Sequence, residues 1–258
     1  MIVSIFTQII FLDRTVFNRL KIGVKLLDYQ KQMKIKRFVR QPLLTYAFLS
    51  AQILLFILMT FNGGSTNTNT LIEYGAKFNP FIVSGQWWRL IMPMFLHIGW
   101  MHLLINSVVL YFLGIQLENY FGHLRFGLIY LLSGFAGNVA SFAFNSSISA
   151  GASTAIFGLF GASLVLGKIY PYNPVVQQMA RNFVVLIGIN LVFGFLDSSI
   201  DLSGHIGGLV GGYLISTAIS VKGTSSSLLK KRLLFAVIFL TLIVLLIALG
   251  YWKTQLIL

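Results

Sequence analysis

The sequence predicts an all-α fold, a polytopic bundle of transmembrane helices, and three observations carry that expectation. Hydrophobic residues fill 57% of the 258 positions and charged residues only 10%, against roughly 25% charged in a soluble domain, so an ordinary water-facing surface cannot be built from this chain. The apolar residues come in runs long enough to cross about 30 Å of hydrocarbon. Lysine and arginine gather between one set of those runs. Cysteine is absent, which removes disulfides, thiolate metal sites and a cysteine nucleophile.

Residues 1–41 hold nine Lys/Arg, from Arg14 to Arg40, against Asp13 and Asp28, on a scatter of apolar residues such as Phe17, Leu20, Val24 and Leu27. The composition reads as a basic cytoplasmic segment at the membrane surface. The opening Met1–Leu12 run is too short to span and has no basic region ahead of it. It is therefore expected to be an interfacial amphipathic stretch rather than a cleavable signal peptide. An uncharged run over 42–61 is the first span, stopped by Asn62-Gly63-Gly64-Ser65. Further spans are expected at about 98–117, 124–143, 152–169, 181–197, 203–221 and 232–250, which makes seven helices. The 62–97 connection is long and sets Phe81, Trp87 and Trp88 beside Lys77 and Arg89, the composition of a loop at headgroup level.

With the N-terminus cytoplasmic, the inner segments contain the nine cations before Gln41, then Arg125, Lys168, Arg181, Lys222, Lys230, Lys231 and Arg232. Only Lys77, Arg89 and Lys253 fall outside. This asymmetry accounts for the net charge of +13 without nucleic acid as a partner. Anionic lipid headgroups on the inner face suffice.

Four histidines occur, and an ionisable group inside a span is a functional candidate by default, with a structural hydrogen bond to a neighbouring helix as the competing role. His123 falls in a cytoplasmic loop and is expected to have no chemical role. His102 and Asn106 lie four apart in the second span and so share a helix face. The second, fourth and sixth spans all run from outside to inside, so His102, Ser153 and His205 each lie within about a turn of an outer helix start. Ser153 sits in Gly151-Ala152-Ser153-Thr154-Ala155-Ile156-Phe157-Gly158, at a helix N-terminus whose free N–H groups favour an anion. Those donors, with an Asn amide and a His N–H, could hold the oxyanion of acyl transfer; a simple N-cap or packing serine is the alternative. His205 opens the run Gly204-His205-Ile206-Gly207-Gly208-Leu209-Val210-Gly211-Gly212, where glycines four apart allow close backbone approach. Asp197 and Asp201 are assigned a topological or solvated place on the outer loop. A Ser153–His205 dyad, not a triad, is therefore expected, with Ser153 as nucleophile and His205 as general base.

At these residues the chain resembles the rhomboid intramembrane serine proteases, from about Trp88 to Gly212. Trp88-Arg89 resembles the family's first-loop Trp-Arg, and the stretch from His97 through His102 to Asn106 resembles its second-span motif. Gly151-Ala152-Ser153 resembles its Gly-x-Ser motif, His205 with Gly208 and Gly212 its His-x-x-Gly-x-x-x-Gly motif, and Phe157 its aromatic position against the base. The resemblance implies an oxyanion hole from His102, Asn106 and Ser153, with Gly151, Phe157, Gly208, Gly212, Trp88, Arg89 and His97 supporting the site and no metal or cofactor. It also implies a six-helix catalytic domain over 42–221, followed by a cytoplasmic loop and an added seventh helix over 222–258. The implied activity is cleavage of single-span membrane proteins in a cell membrane, at a site opening to the extracellular side. Thr154 departs from the family pattern, which usually has glycine there, and its β-branch is expected to stiffen the turn. Two other readings stay open: an inactive relative that binds membrane clients, and a transporter, against which stand the lack of an inverted repeat and of an acidic residue deep in a span. An intramembrane metalloprotease would need a motif such as H-E-x-x-H, which the sequence lacks.

Overall fold

The computed structural model describes residues 41–197, 199–221 and 229–257, together with Tyr29, Lys31 and Met33. It divides into a unit of residues 1–41 and a unit of residues 42–258. In the first, Tyr29, Lys31 and Met33 are helical and exposed; apart from Gln41, the rest of the expected membrane-surface segment lies outside the described residues, as does the whole 222–228 connection.

The regular elements described in the second unit are all helices, with one isolated β-bridge between Lys77 and Ser149. The unit comprises α1 (Leu43–Phe61), α2 (Thr68–Glu73), α3 (Asn79–Val83), α4 (Gly99–Phe121), α5 (His123–Phe144), α6 (Ser153–Ile169), α7 (Pro174–Leu196), α8 (Leu202–Ile219) and α9 (Leu229–Gln255). Two 3-10 turns, Trp87–Leu90 and Met92–Phe95, follow α3. Six of these helices are long and apolar enough to cross a membrane, and α6 is a shorter apolar helix, so the chain is a multi-pass membrane protein.

Local chemistry explains the boundaries. The N-terminus of α1 is capped from another helix: the buried Glu118 carboxylate accepts from the N–H groups of Leu44 (2.9 Å) and Thr45 (2.8 Å) and from the Thr45 hydroxyl (2.6 Å). The second span was expected to stop at 117, but α4 continues to Phe121 because these bonds reward one more turn. His123, expected to be idle, pairs with the same carboxylate. The fifth span begins at Pro174, seven residues before the expected 181. The Asn173 side chain accepts from Val175 N–H and Val176 N–H, and Pro174 takes the first helical position, where its missing N–H costs nothing. At the other end of the bundle, the Arg232 guanidinium donates to the last carbonyls of α8, Ala218 (2.8 Å) and Ile219 (2.9 Å), which suits the negative end of a helix dipole.

Helix α6 is the core of the unit. Its residues from Thr154 to Ser163 are all buried, as expected of a helix that is apolar all round. It packs against α5 and α8, where glycine removes the side chains that would separate the helices. A Cβ on Gly208 would lie 2.0 Å from the Thr154 carbonyl oxygen, and one on Gly212 would lie 2.1 Å from that of Gly158. Neither contact is to a flexible side chain, so the backbones themselves must part. Gly208→Val is therefore expected to lower the melting temperature in detergent by several degrees, in line with about 1–3 kcal/mol for overpacking. Gly188→Ala, at a position with open space around it, is the control expected to melt like wild type.

Candidate active site

The 62–97 connection builds the turn that carries Ser153. Lys77 and Ser149 exchange backbone hydrogen bonds (2.9 and 3.1 Å), Gly151 N–H donates to the Pro93 carbonyl (2.9 Å), and Ala152 N–H donates to His97 Nε2 (3.4 Å). Three successive stretches of the 62–97 connection thus grip the four residues before Ser153. His97 is fully buried; burial first, and the His102 ring second, push it down to about 3, so it stays neutral and able to accept that bond. Gly151 has φ +147°, and a Cβ there would sit 2.6 Å from His102 Cε1 and 2.9 Å from Nε2. Glycine is required on both counts.

His102 therefore lies directly on the Ser153 turn. Its Nδ1 accepts a long bond from Ile98 N–H (3.5 Å), an arrangement that leaves the proton on Nε2, the nitrogen facing Gly151. Asn106 is buried one turn along α4, and its amide donates to the His102 carbonyl (2.8 Å). Ser153 is partly exposed while Gly151, Ala152 and Thr154 are buried, so the hydroxyl sits at the open end of a closed turn. With 17 residues, α6 is about 26 Å long, a few Å short of the hydrocarbon thickness.

His205 comes from the first turn of α8. Its ring stacks on Phe157, one turn after Ser153, with centroids 4.2 Å apart and planes 11° from parallel. The Gly208 and Gly212 contacts described above set this approach. His205 Nδ1 is buried and has no hydrogen-bond partner among the described residues, so no carboxylate completes a triad through it. Thr154 fills the junction of three helices: its side chain lies against Gly137 of α5 and Gly204 of α8, where a Cβ would come within 2.7 and 3.1 Å.

Of the Trp88-Arg89 pair, Arg89 serves the scaffold. Arg89 donates to the carbonyls of Ile72 (2.6 Å) and Ala76 (3.1 Å) and to the Gln86 side chain (2.7 Å), and lies over the Phe81 ring; Trp88 is exposed. Two residues of the site's surroundings escaped the sequence reading. Asp201 caps α8 and is hydrogen-bonded by Ser141, Ser203 and Gly204 N–H, which corrects its assignment to a solvated loop. Lys77 is fully buried, its ammonium donating to the Asn145 carbonyl (2.6 Å). The one available signal for Asp201 was its place three residues before Gly204 at a helix start; the partner of Lys77 is 68 residues away and left no signal.

A multi-pass helical bundle that holds a serine turn against a histidine-bearing helix defines the class of protein. Known proteins narrow it further. Residues 84–222 match the Rhomboid domain family. The chain is 45% identical over 221 residues to Rhomboid protease GluP of Bacillus subtilis, a match covering 84% of this chain and 43% of that protein. It is 36% identical over 141 residues to Putative rhomboid protease YdcA of the same organism, covering 54% of this chain and 70% of the relative. RHOMBOID-like protein 7 of Arabidopsis thaliana is 39% identical over 155 residues, 58% of this chain and 48% of its own. The chain belongs to the rhomboid family, and it spans less than half the length of GluP.

Burial lowers Lys77 to about 8 from an ordinary 10.5, against the field of Asp201, which raises it. Below pH 8 the ammonium is charged in both folded and unfolded chains, and the cost of burying it is fully present. Between about 8 and 10.5 the folded protein releases this proton first, so the cost lifts and stability rises with pH. Melting temperatures across that window are expected to rise for wild type relative to Lys77→Met. A constant difference between the two proteins counts against this charge state.

Proposed function

We propose that this protein is an intramembrane serine endopeptidase that hydrolyses a peptide bond in or near the transmembrane segment of other membrane proteins. The observation that carries the proposal is the His205 ring stacked on Phe157, one turn along α6 from Ser153, beside a turn whose glycine is pressed against His102. Family membership and relatives named as rhomboid proteases support the same activity.

In this mechanism Ser153 Oγ attacks the scissile carbonyl and His205 takes the hydroxyl proton, then returns it to the leaving amine. The carbonyl oxygen becomes an oxyanion beside the unpaired N–H groups of the first α6 turn, the His102 Nε2–H and the Asn106 amide. Water then releases the acyl group by the same route in reverse. The substrate is a single-span protein whose helix unwinds near its outer end, because a peptide bond within a helix is shielded from attack. Residues 42–221 form the catalytic domain, residues 1–41 a cytoplasmic surface segment, and residues 222–258 a loop with an added helix. The distribution of Lys and Arg supports a cytoplasmic N-terminus, which opens the site to the outer face of a cell membrane.

The test is cleavage of a single-span reporter protein in liposomes by wild type, Ser153→Ala and His205→Ala, each checked for folding. Wild type is expected to cut, and both variants to fall by at least about 10³-fold. Equal cleavage by all three overturns the dyad; a folded wild type that binds reporters and cuts none favours a client-binding relative.

A further inference from the structure

The Asp201 carboxylate is far better held than capping requires. One oxygen accepts from Ser203 Oγ (2.8 Å) and Gly204 N–H (3.0 Å), the other from Ser141 Oγ on α5, and the Asn145 side chain bonds it as well. Asn145 also links it to the buried Lys77, because the Asn145 carbonyl accepts the Lys77 ammonium (2.6 Å), and the Asn79 amide reaches the same carbonyl (3.4 Å). The carboxylate also acts on the ammonium through space, its field favouring the charged form. His205 N–H donates to the Asp201 carbonyl (3.1 Å), so the whole cluster ends one turn from the imidazole.

Serine or asparagine would cap α8 without charge, and a half-buried carboxylate near a fully buried ammonium carries a desolvation cost that neutral partners avoid. The charge therefore needs a use. The bonds join three elements, the 62–97 connection through Lys77, α5 through Ser141 and Asn145, and α8 through Asp201, to the base of the proposed dyad. Apart from Lys77, the titratable groups facing this end of α8 are His205 itself and His102 across the Ser153 turn.

We infer that Asp201, with Lys77 as its buried counter-ion, is a positioning residue for His205: it fixes the first turn of α8 and holds a negative charge one turn from the imidazole. This rests on the dyad reading above. A charge placed there favours the imidazolium that forms when His205 takes the Ser153 proton, and Nδ1 makes no hydrogen bond that could do so instead. At an effective dielectric near 20, a unit charge about one turn away is worth on the order of tenfold or more, less what Lys77 offsets.

The test uses the full chain in liposomes with two readouts. One is kcat and KM for a single-span reporter. The other is the rate at which a fluorophosphonate labels Ser153, where the Oγ–P bond forms, fluoride leaves and His205 takes the proton. Asp201→Asn keeps shape and cap but removes the charge. It is expected to lower kcat and labelling together by about tenfold or more, with KM within about twofold and melting within a few degrees of wild type; Asp201→Glu recovers part of the rate. Because the pair acts as a unit, adding Lys77→Met to Asp201→Asn brings little further loss. Asp201→Asn at wild-type kcat overturns the inference and leaves the dyad intact. So does an Asp201→Asn that melts about 10 °C lower, since its role is then architectural. A folded wild type inert to both reporter and probe overturns the dyad and this inference with it.

Discussion

The site depends on how closely two helices approach. Helices α6 and α8 cross with carbonyl oxygens of one against glycine Cα atoms of the other, at Thr154 with Gly208 and Gly158 with Gly212. In lipid no hydrophobic force draws helices together, so shape and backbone contact must do so. The crossing places the His205 ring flat on Phe157. A side chain added at the crossing has to part the two backbones, and His205 then shifts from its place on Phe157.

A second constraint follows from the length of α6. At 17 residues it does not reach across the hydrocarbon, so its first turn, with N–H groups lacking helical partners, lies at a depth where unsatisfied donors are costly. The 62–97 connection answers part of that cost: Pro93 takes the Gly151 N–H and His97 the Ala152 N–H. The donors just after them are the N–H groups from which the proposed oxyanion hole is drawn. The connection that reads as a headgroup-level loop is thus the scaffold of the serine turn, braced in its own right by Arg89 on the carbonyls of Ile72 and Ala76.

Much of this was legible in the sequence, and the reason is physical. Spans announce themselves by uncharged length, and outer helix starts by alternation of topology, so Ser153, His205 and His102 could be placed at one depth without coordinates. What stayed hidden were the distant, neutral partners of charged side chains. Glu118 caps a helix 73 residues away, Lys77 reaches a carbonyl 68 residues away, and Asp201 bonds a serine 60 residues away; no local pattern encodes such partners. The misplaced start of the fifth span had another cause. A span starting at Arg181 treats its charge as a boundary, yet Asn173-Pro174 is the stronger signal, and an exposed arginine two turns into α7 has a side chain long enough to extend toward that end of the helix.

Thr154 shows why a departure from a family pattern has to be weighed with its neighbours. A β-branched residue beside the nucleophile stiffens the turn, but its bulk need not fall on the catalytic side. Here the side chain lies at the α5–α8 junction against Gly137 and Gly204, both without side chains of their own. The extra volume is absorbed against these two glycines, and the carbonyl of Thr154 still meets Gly208. The substitution therefore tightens the packing behind the serine while the donors in front of it are the backbone's own, which do not depend on the side chain. In the proposed mechanism, stiffness there keeps those donors oriented in advance, the condition under which electrostatic stabilisation acts without reorganisation.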